Sequence, residues 1–206
     1  MKILIADDHG VVRKGLITIL VEAFPFAEII EARDGAELLQ QADADKWDII
    51  ITDISMPGRS GMDILKDLKE IAPKVPILVL SVHAAEQYAV RTIKAGASGY
   101  LTKESAPDDL VKVVQHIVSG RKYITPEIAE MLAESYNDDK PAHENLSDRE
   151  FEVMKLISSG KTVSEIADIL SLSVNTISTY RSRILDKMQM STNAELTHYT
   201  IKNKLI

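Results

Sequence analysis

The chain has 206 residues, 45% of them apolar and 27% charged, which supports packed domains and excludes disorder as the main state. It holds no cysteine, which excludes disulfides, thiolate metal sites, iron–sulfur clusters and a cysteine nucleophile. The net charge of −7 argues against nucleic acid at first, but it hides an asymmetry: residues 1–119 carry 13 basic and 18 acidic side chains, 120–146 carry 3 and 6, and 147–206 carry 8 and 7. From Ser171 onward the ratio is 5 to 2, so the base lies near the end. Length suggests two domains rather than one.

No apolar run approaches the ~18 residues that would span a bilayer. The first apolar run meets Asp7 and Asp8 too early for a signal peptide. The expectation is a soluble cytoplasmic protein without membrane contact. Strands are expected at Lys2–Ala6, Glu28–Ala32, Asp48–Thr52, Pro76–Ser81 and Gly99–Thr102. Ile3-Leu4-Ile5, Ile49-Ile50-Ile51 and Ile77-Leu78-Val79-Leu80 are continuously apolar, as strands buried on both faces of a parallel sheet are. Helical patterns lie between and after them, at Val11–Ala23, Gly35–Gln41, Gly61–Ile71, Glu86–Ala95 and Pro107–Val118. Five βα units within residues 1–119 give an α/β domain with a doubly wound, five-stranded, flavodoxin-like parallel sheet of order 2-1-3-4-5.

Residues 120–145 read as a linker. Thr125-Pro126 opens a short helix, and Tyr136 to Asn145 has no periodicity and reads as flexible connection. Residues 146–206 show no strand pattern and form a second, all-α domain. Ser147 and Glu150 have the spacing of a capping box. A helix running to Gly160, a second at Val163–Leu170, a break at Ser171-Leu172-Ser173 and a third at Val174–Met188 make a helix-turn-helix pattern. A fourth helix spans Thr192–Lys202.

Asp7 and Asp8 follow the first strand and Asp53 the third, while Ser81 ends the fourth and Lys103 the fifth. All are carboxyl ends, the rim where open α/β sheets bind ligands. Three converging carboxylates repel unless a cation joins them, and hard oxygens of this kind suit Mg²⁺. A carboxylate can also serve as a nucleophile and become an aspartyl-phosphate, with a hydroxyl and an ammonium beside it to hold phosphoryl oxygens. His9 is expected to cap the following helix or line the rim.

These motifs carry a resemblance. Ile5-Ala6-Asp7-Asp8-His9, Thr52-Asp53-Ile54-Ser55-Met56-Pro57-Gly58, Leu80-Ser81, Ala95-Gly96-Ala97-Ser98-Gly99-Tyr100 and Leu101-Thr102-Lys103 are similar to the receiver domain of two-component response regulators across residues 1–119. The resemblance implies that Asp53 accepts a phosphoryl group from a sensor histidine kinase. It implies that Asp8, Asp53 and the Ser55 backbone carbonyl hold Mg²⁺ with support from Asp7. Ser81 and Lys103 would bind the phosphoryl oxygens, and Tyr100 would be the switch aromatic. Lys103 is followed by Glu104 rather than the proline frequent there, so the isomer of that peptide stays open.

In the third helix of the second domain, Ile177, Arg181, Ile184 and Met188 share one side. Asn175, Ser178, Thr179, Ser182 and Arg183 spread over the other, polar and small, as contacts to bases and phosphates require. Arg181, Arg183 and Lys187 can neutralise phosphates. Leu146-Ser147-x-Arg149-Glu150, Gly160, Glu165-Ile166-Ala167 and Thr176-Ile177-Ser178-Thr179-Tyr180 resemble the LuxR-type DNA-binding domain. Joined to a receiver, this is similar to the NarL/FixJ family of response regulators. That resemblance implies double-stranded DNA as partner, contacts at Ser178, Thr179 and Ser182, and a homodimer formed through the fourth helix when phosphorylated. It implies a transcription regulator rather than an enzyme. Two alternatives stay open: a Mg²⁺-dependent phosphohydrolase, and a DNA binder indifferent to phosphorylation.

Overall fold

The computed structural model describes residues 1–57, 59–83, 85–135 and 141–206. Gly58 and the Tyr136–Lys140 part of the expected flexible connection lie outside the described residues. The chain forms two compact units, Met1–Ala129 and Glu130–Ile206.

In the first unit, β1 (Lys2–Ala6), β2 (Glu28–Ala32), β3 (Ile49–Asp53), β4 (Ile77–Ser81) and β5 (Gly99–Thr102) pair in parallel in the order β2-β1-β3-β4-β5. The continuous apolar runs have the expected cause, since β3 and β4 are buried at every position. Helices α1 (Gly10–Ala23) and α5 (Ala106–Val118) cover one face, where Leu16, Leu20, Leu110, Val113 and Ile117 pack on Ile3, Ile5, Ile49, Ile51, Leu78 and Leu80. On the other face α2 (Gly35–Ala44) packs on β1 and β2, α3 (Gly61–Ile71) on α2, and α4 (Ala85–Lys94) on β5.

The unit extends past Ser119. Tyr123 bridges to Gly99, and its N–H donates to the Ser98 carbonyl at 2.8 Å, which covers the β5 edge. A Cβ on Gly99 would stand 3.2 Å from the Tyr123 Cβ, so a larger residue there would press Tyr123 outward by a few tenths of an ångström. Helix α6 (Pro126–Glu134) straddles the division between the units.

The second unit holds α7 (Asp148–Ser158), α8 (Val163–Leu170), α9 (Val174–Met188) and α10 (Asn193–Lys202). Phe151, Met154, Ile157, Ile166, Ile177, Ile184 and Leu196 are buried, with α7 packed on α9 and α10, and α8 on α9. Capping boxes start three of the four helices, at Ser147/Glu150, Thr162/Glu165 and Thr192/Glu195. The stretch read as unpatterned is ordered at its end. Ala142–Asn145 forms a 3-10 turn, and His143 Nδ1 lies 2.9 Å from the Tyr199 hydroxyl on α10. No helix among the described residues is long and apolar enough to cross a membrane.

Candidate functional site

Strand register assembles the rim. Ala6 pairs with Thr52, Asp53 with Leu80, and Ser81 with Thr102. The next residues along β1 and β5 are Asp7 and Lys103, so the sheet brings the expected set together. Asp7 is 1% exposed and Asp53 2%. Potential ligand atoms of Asp7, Asp8, His9 and Asp53 lie within 4.8 Å of one another.

Lys103 is the cation that this acid surrounds. Its Nζ lies 2.6 Å from Asp53 Oδ2 and 2.6 Å from Asp7 Oδ2. Burial alone would lower the lysine, but the bonds to Asp53 and Asp7 outweigh it and raise its pKa. Burial pushes the Asp53 carboxyl up, against the pull of Lys103 and of the Ser55 N–H, which donates to Oδ1 at 2.8 Å. The structure thus shows Ser55 touching Asp53 through its amide. No peptide bond among the described residues is cis, Lys103–Glu104 included.

The Ser81 hydroxyl is fully buried and accepts the His83 N–H at 3.0 Å. Tyr100 is buried, and its hydroxyl donates to the His83 carbonyl at 2.7 Å. One residue, His83, therefore bonds to both expected switch positions. The His9 ring does not cap α1. It turns to the carboxylates, with Nδ1 2.9 Å from Asp8 Oδ1, while the His9 backbone N–H donates to Asp7 Oδ1 at 2.8 Å.

Two residues at the rim are not evident from sequence motifs. Arg13 is buried on α1; its Nη1 donates to the Asp7 carbonyl at 2.6 Å and its Nε to Glu31 at 2.6 Å, which pins the turn after β1. Its phase with Leu16 and Leu20 is the available signal, since all three face inward. Gly61 opens α3 against the Ile54 carbonyl, where a Cβ would stand at 2.0 Å, so the turn after Asp53 closes only on glycine.

In the second unit Asn175, Ser178, Thr179, Ser182 and Arg183 are exposed on α9, while Ile177, Ile184 and Met188 are buried. The remaining two expected contacts are engaged internally. Arg181 Nε donates to Asn193 Oδ1 at 2.8 Å. Lys187 Nζ donates to Glu150 Oε2 at 2.7 Å, where burial raises the carboxyl but Lys187 and Ser147 bring it below its usual value.

Comparison with known proteins agrees with this geometry. Residues 3–115 match the response regulator receiver domain, and residues 144–200 match the bacterial regulatory proteins of the luxR family. The response regulator UvrY of Escherichia coli strain K12 is 32% identical over 208 residues, covering 100% of this chain and 95% of UvrY. The oxygen regulatory protein NreC of Staphylococcus epidermidis is 33% identical over 216 residues, covering 100% and 99%. Among solved structures, RcsB of Salmonella enterica serovar Typhimurium, bound to promoter rprA in the presence of phosphomimetic BeF3-, superposes with a TM-score of 0.68 at 27% identity, over 97% of this chain and 98% of that one.

Proposed function

The chain belongs to the two-component response regulators of the NarL/FixJ family, a receiver joined to a LuxR-type DNA-binding domain, and we propose that a phosphoryl group taken from a sensor histidine kinase onto Asp53 switches its hold on double-stranded DNA. The observation that carries this is the buried Asp53 carboxylate, held by Lys103 on one oxygen and by the Ser55 amide on the other. In the transfer, an Asp53 oxygen forms the bond to phosphorus as the phosphorus–nitrogen bond of the donor phosphohistidine breaks. The imidazole leaves and takes up a proton.

The donor set fits a magnesium ion. Asp7 Oδ2 and Asp8 Oδ1 are buried carboxylate oxygens that face the cluster, with Lys103 Nζ beside the first and His9 Nδ1 beside the second. Such acceptor-only oxygens suit a small hard cation. Asp7, Asp8, Asp53 and the Ser55 carbonyl would hold it, and when bound it neutralises phosphoryl charge. Lys103 then holds a phosphoryl oxygen as a point charge. Ser81, whose oxygen accepts the His83 N–H, turns its O–H to the phosphoryl group. Movement of Ser81 toward that group pulls on the His83 segment whose carbonyl anchors Tyr100, which is how the rim can signal to the surface around β4, β5 and their helices.

Labelling by acetyl phosphate in Mg²⁺ tests the site. The native chain should incorporate one phosphoryl group that chelation prevents, and Asp53→Asn should incorporate none. Label retained in Asp53→Asn would overturn the assignment. Release of phosphate from a small ester at a steady turnover would favour the hydrolase reading instead.

On the DNA side, Asn175, Ser178, Thr179, Ser182 and Arg183 are exposed candidates without an internal ion pair, while Arg181 and Lys187 also hold Asn193 and Glu150. So small a positive surplus supports binding as a homodimer, where a second linked contact raises affinity through effective concentration. A DNA-reading regulator of this kind works in the cytoplasm.

A further inference from the structure

The base-facing part of α9 has an unusual chemistry for a recognition helix. Residues near the N-terminus of such a helix meet base edges in the major groove. Between Val174 and Ser182 the exposed side chains are Val174, Asn175, Ser178, Thr179 and Ser182. The single cation in that span, Arg181, is half-buried with its Nε on Asn193. The commonest specific contact to guanine is a Lys or Arg on O6 and N7; no exposed cation lies on this face between Val174 and Ser182, and Arg183, one residue further along the helix, is assigned to phosphate.

What it offers instead matches the other base pair. The Asn175 side-chain amide has no partner among the described residues. An asparagine amide pairs in bidentate fashion with adenine N6 and N7. The Thr179 hydroxyl donates back to the Asn175 carbonyl at 2.9 Å, which turns its methyl group outward. Thr179 presents a methyl group and an oxygen lone pair. Val174 is 47% exposed at the first helical position and adds two more methyl groups outside the core. Thymine is the base that carries a methyl group in the major groove, where apolar contact discriminates for it.

We propose that α9 selects A·T pairs, with Asn175 reading adenine and the methyl groups of Val174 and Thr179 packing on thymine methyl groups. The proposal rests on the second unit binding duplex DNA. The operator half-site of this regulator is therefore A·T-dominated where α9 enters the groove.

The test is selection of binding sites from random duplex DNA by the full chain treated with acetyl phosphate and Mg²⁺. The expected half-site has A·T pairs at the positions that α9 protects. Replacing thymine there by uracil should weaken binding about fourfold per methyl group, the factor for one buried carbon. The penalty should vanish in Val174→Ala or Thr179→Ser for the methyl each one touches, and Asn175→Arg should move the preference toward guanine. Because uracil alters only the DNA, that arm does not depend on a variant folding. A half-site of G·C pairs at the protected positions, or full tolerance of uracil, would overturn the base assignment while leaving duplex binding intact. Enrichment of no sequence at all would overturn the assignment together with the duplex-binding reading beneath it.

Discussion

Lys103 stands between two buried carboxylates, and neither the lysine nor the acids would tolerate burial alone. One ammonium does not neutralise Asp7, Asp8 and Asp53 together, and burial keeps the Asp53 pKa above that of an ordinary carboxylate. A carboxyl raised in the folded state binds protons more tightly there than in the unfolded chain. It therefore adds stability as pH falls toward its ordinary value of 3.8 and subtracts it at neutral pH. Asp53→Asn should accordingly raise the thermal midpoint at pH 7 in the absence of Mg²⁺, and the gap to the native chain should shrink in acid; scanning calorimetry at both pH values checks it. Arg13 acts in the opposite sense. Arg13→Met should destabilise the first unit by about 2 kcal/mol, since it removes charge-assisted bonds to Glu31 and to the Asp7 carbonyl; urea unfolding measures it. At this scale the sequence shows the rim because each member directly follows or ends an apolar strand. It does not show Arg13 on Glu31 or Lys187 on Glu150, because those pairs join residues 18 and 37 positions apart and only packing brings them together.

Buried strands and boxed helix starts are the elements that local sequence specifies most directly. A continuous apolar run is the signature of a strand covered on both faces, and Ser147/Glu150 is a start signal visible without a fold. The 3-10 turn at Ala142–Asn145 is not legible in this way, since its side-chain anchor is Tyr199 at the far end of the chain. Helix α8 has only eight residues, so its cap matters more than most. Thr162→Ala should cost about 1 kcal/mol and reduce DNA affinity by loosening the turn before α9; denaturation and binding titrations on one variant check both. Helix α7 carries a pH signal. Burial brings Lys155 down to about 8 from 10.5, with Glu152 opposing. The unfolded chain binds the extra proton between those values, so the stability of the second unit should rise with pH across that window. Lys155→Met should flatten the rise, so thermal melts across the same window should show the native chain gaining on the variant as pH increases.

The whole molecule carries −7 and yet belongs to a DNA-binding family, because acid and base are divided along the chain. The exposed cations of α9 are Arg183 and Lys187, and Lys187 is paired with Glu150, so the proposed reading face should attract DNA only weakly without regard to sequence. Arg183→Ala should reduce the slope of log affinity against log salt by about 0.9 per subunit, the value for one phosphate left without its cation. Weak attraction by one copy would leave the proposed phosphorylation switch room to act. A switch from 1:99 to 99:1 needs about 5.5 kcal/mol in favour of the active state. The most direct measurement is the affinity of the native chain and of Asp53→Asn for a selected duplex site, each with and without acetyl phosphate in Mg²⁺. Coupling between rim and reading helix predicts that acetyl phosphate tightens binding by the native chain at least tenfold and leaves Asp53→Asn unchanged, about 1.4 kcal/mol at the least. Equal affinity in all four samples, or equal tightening in both proteins, would contradict it.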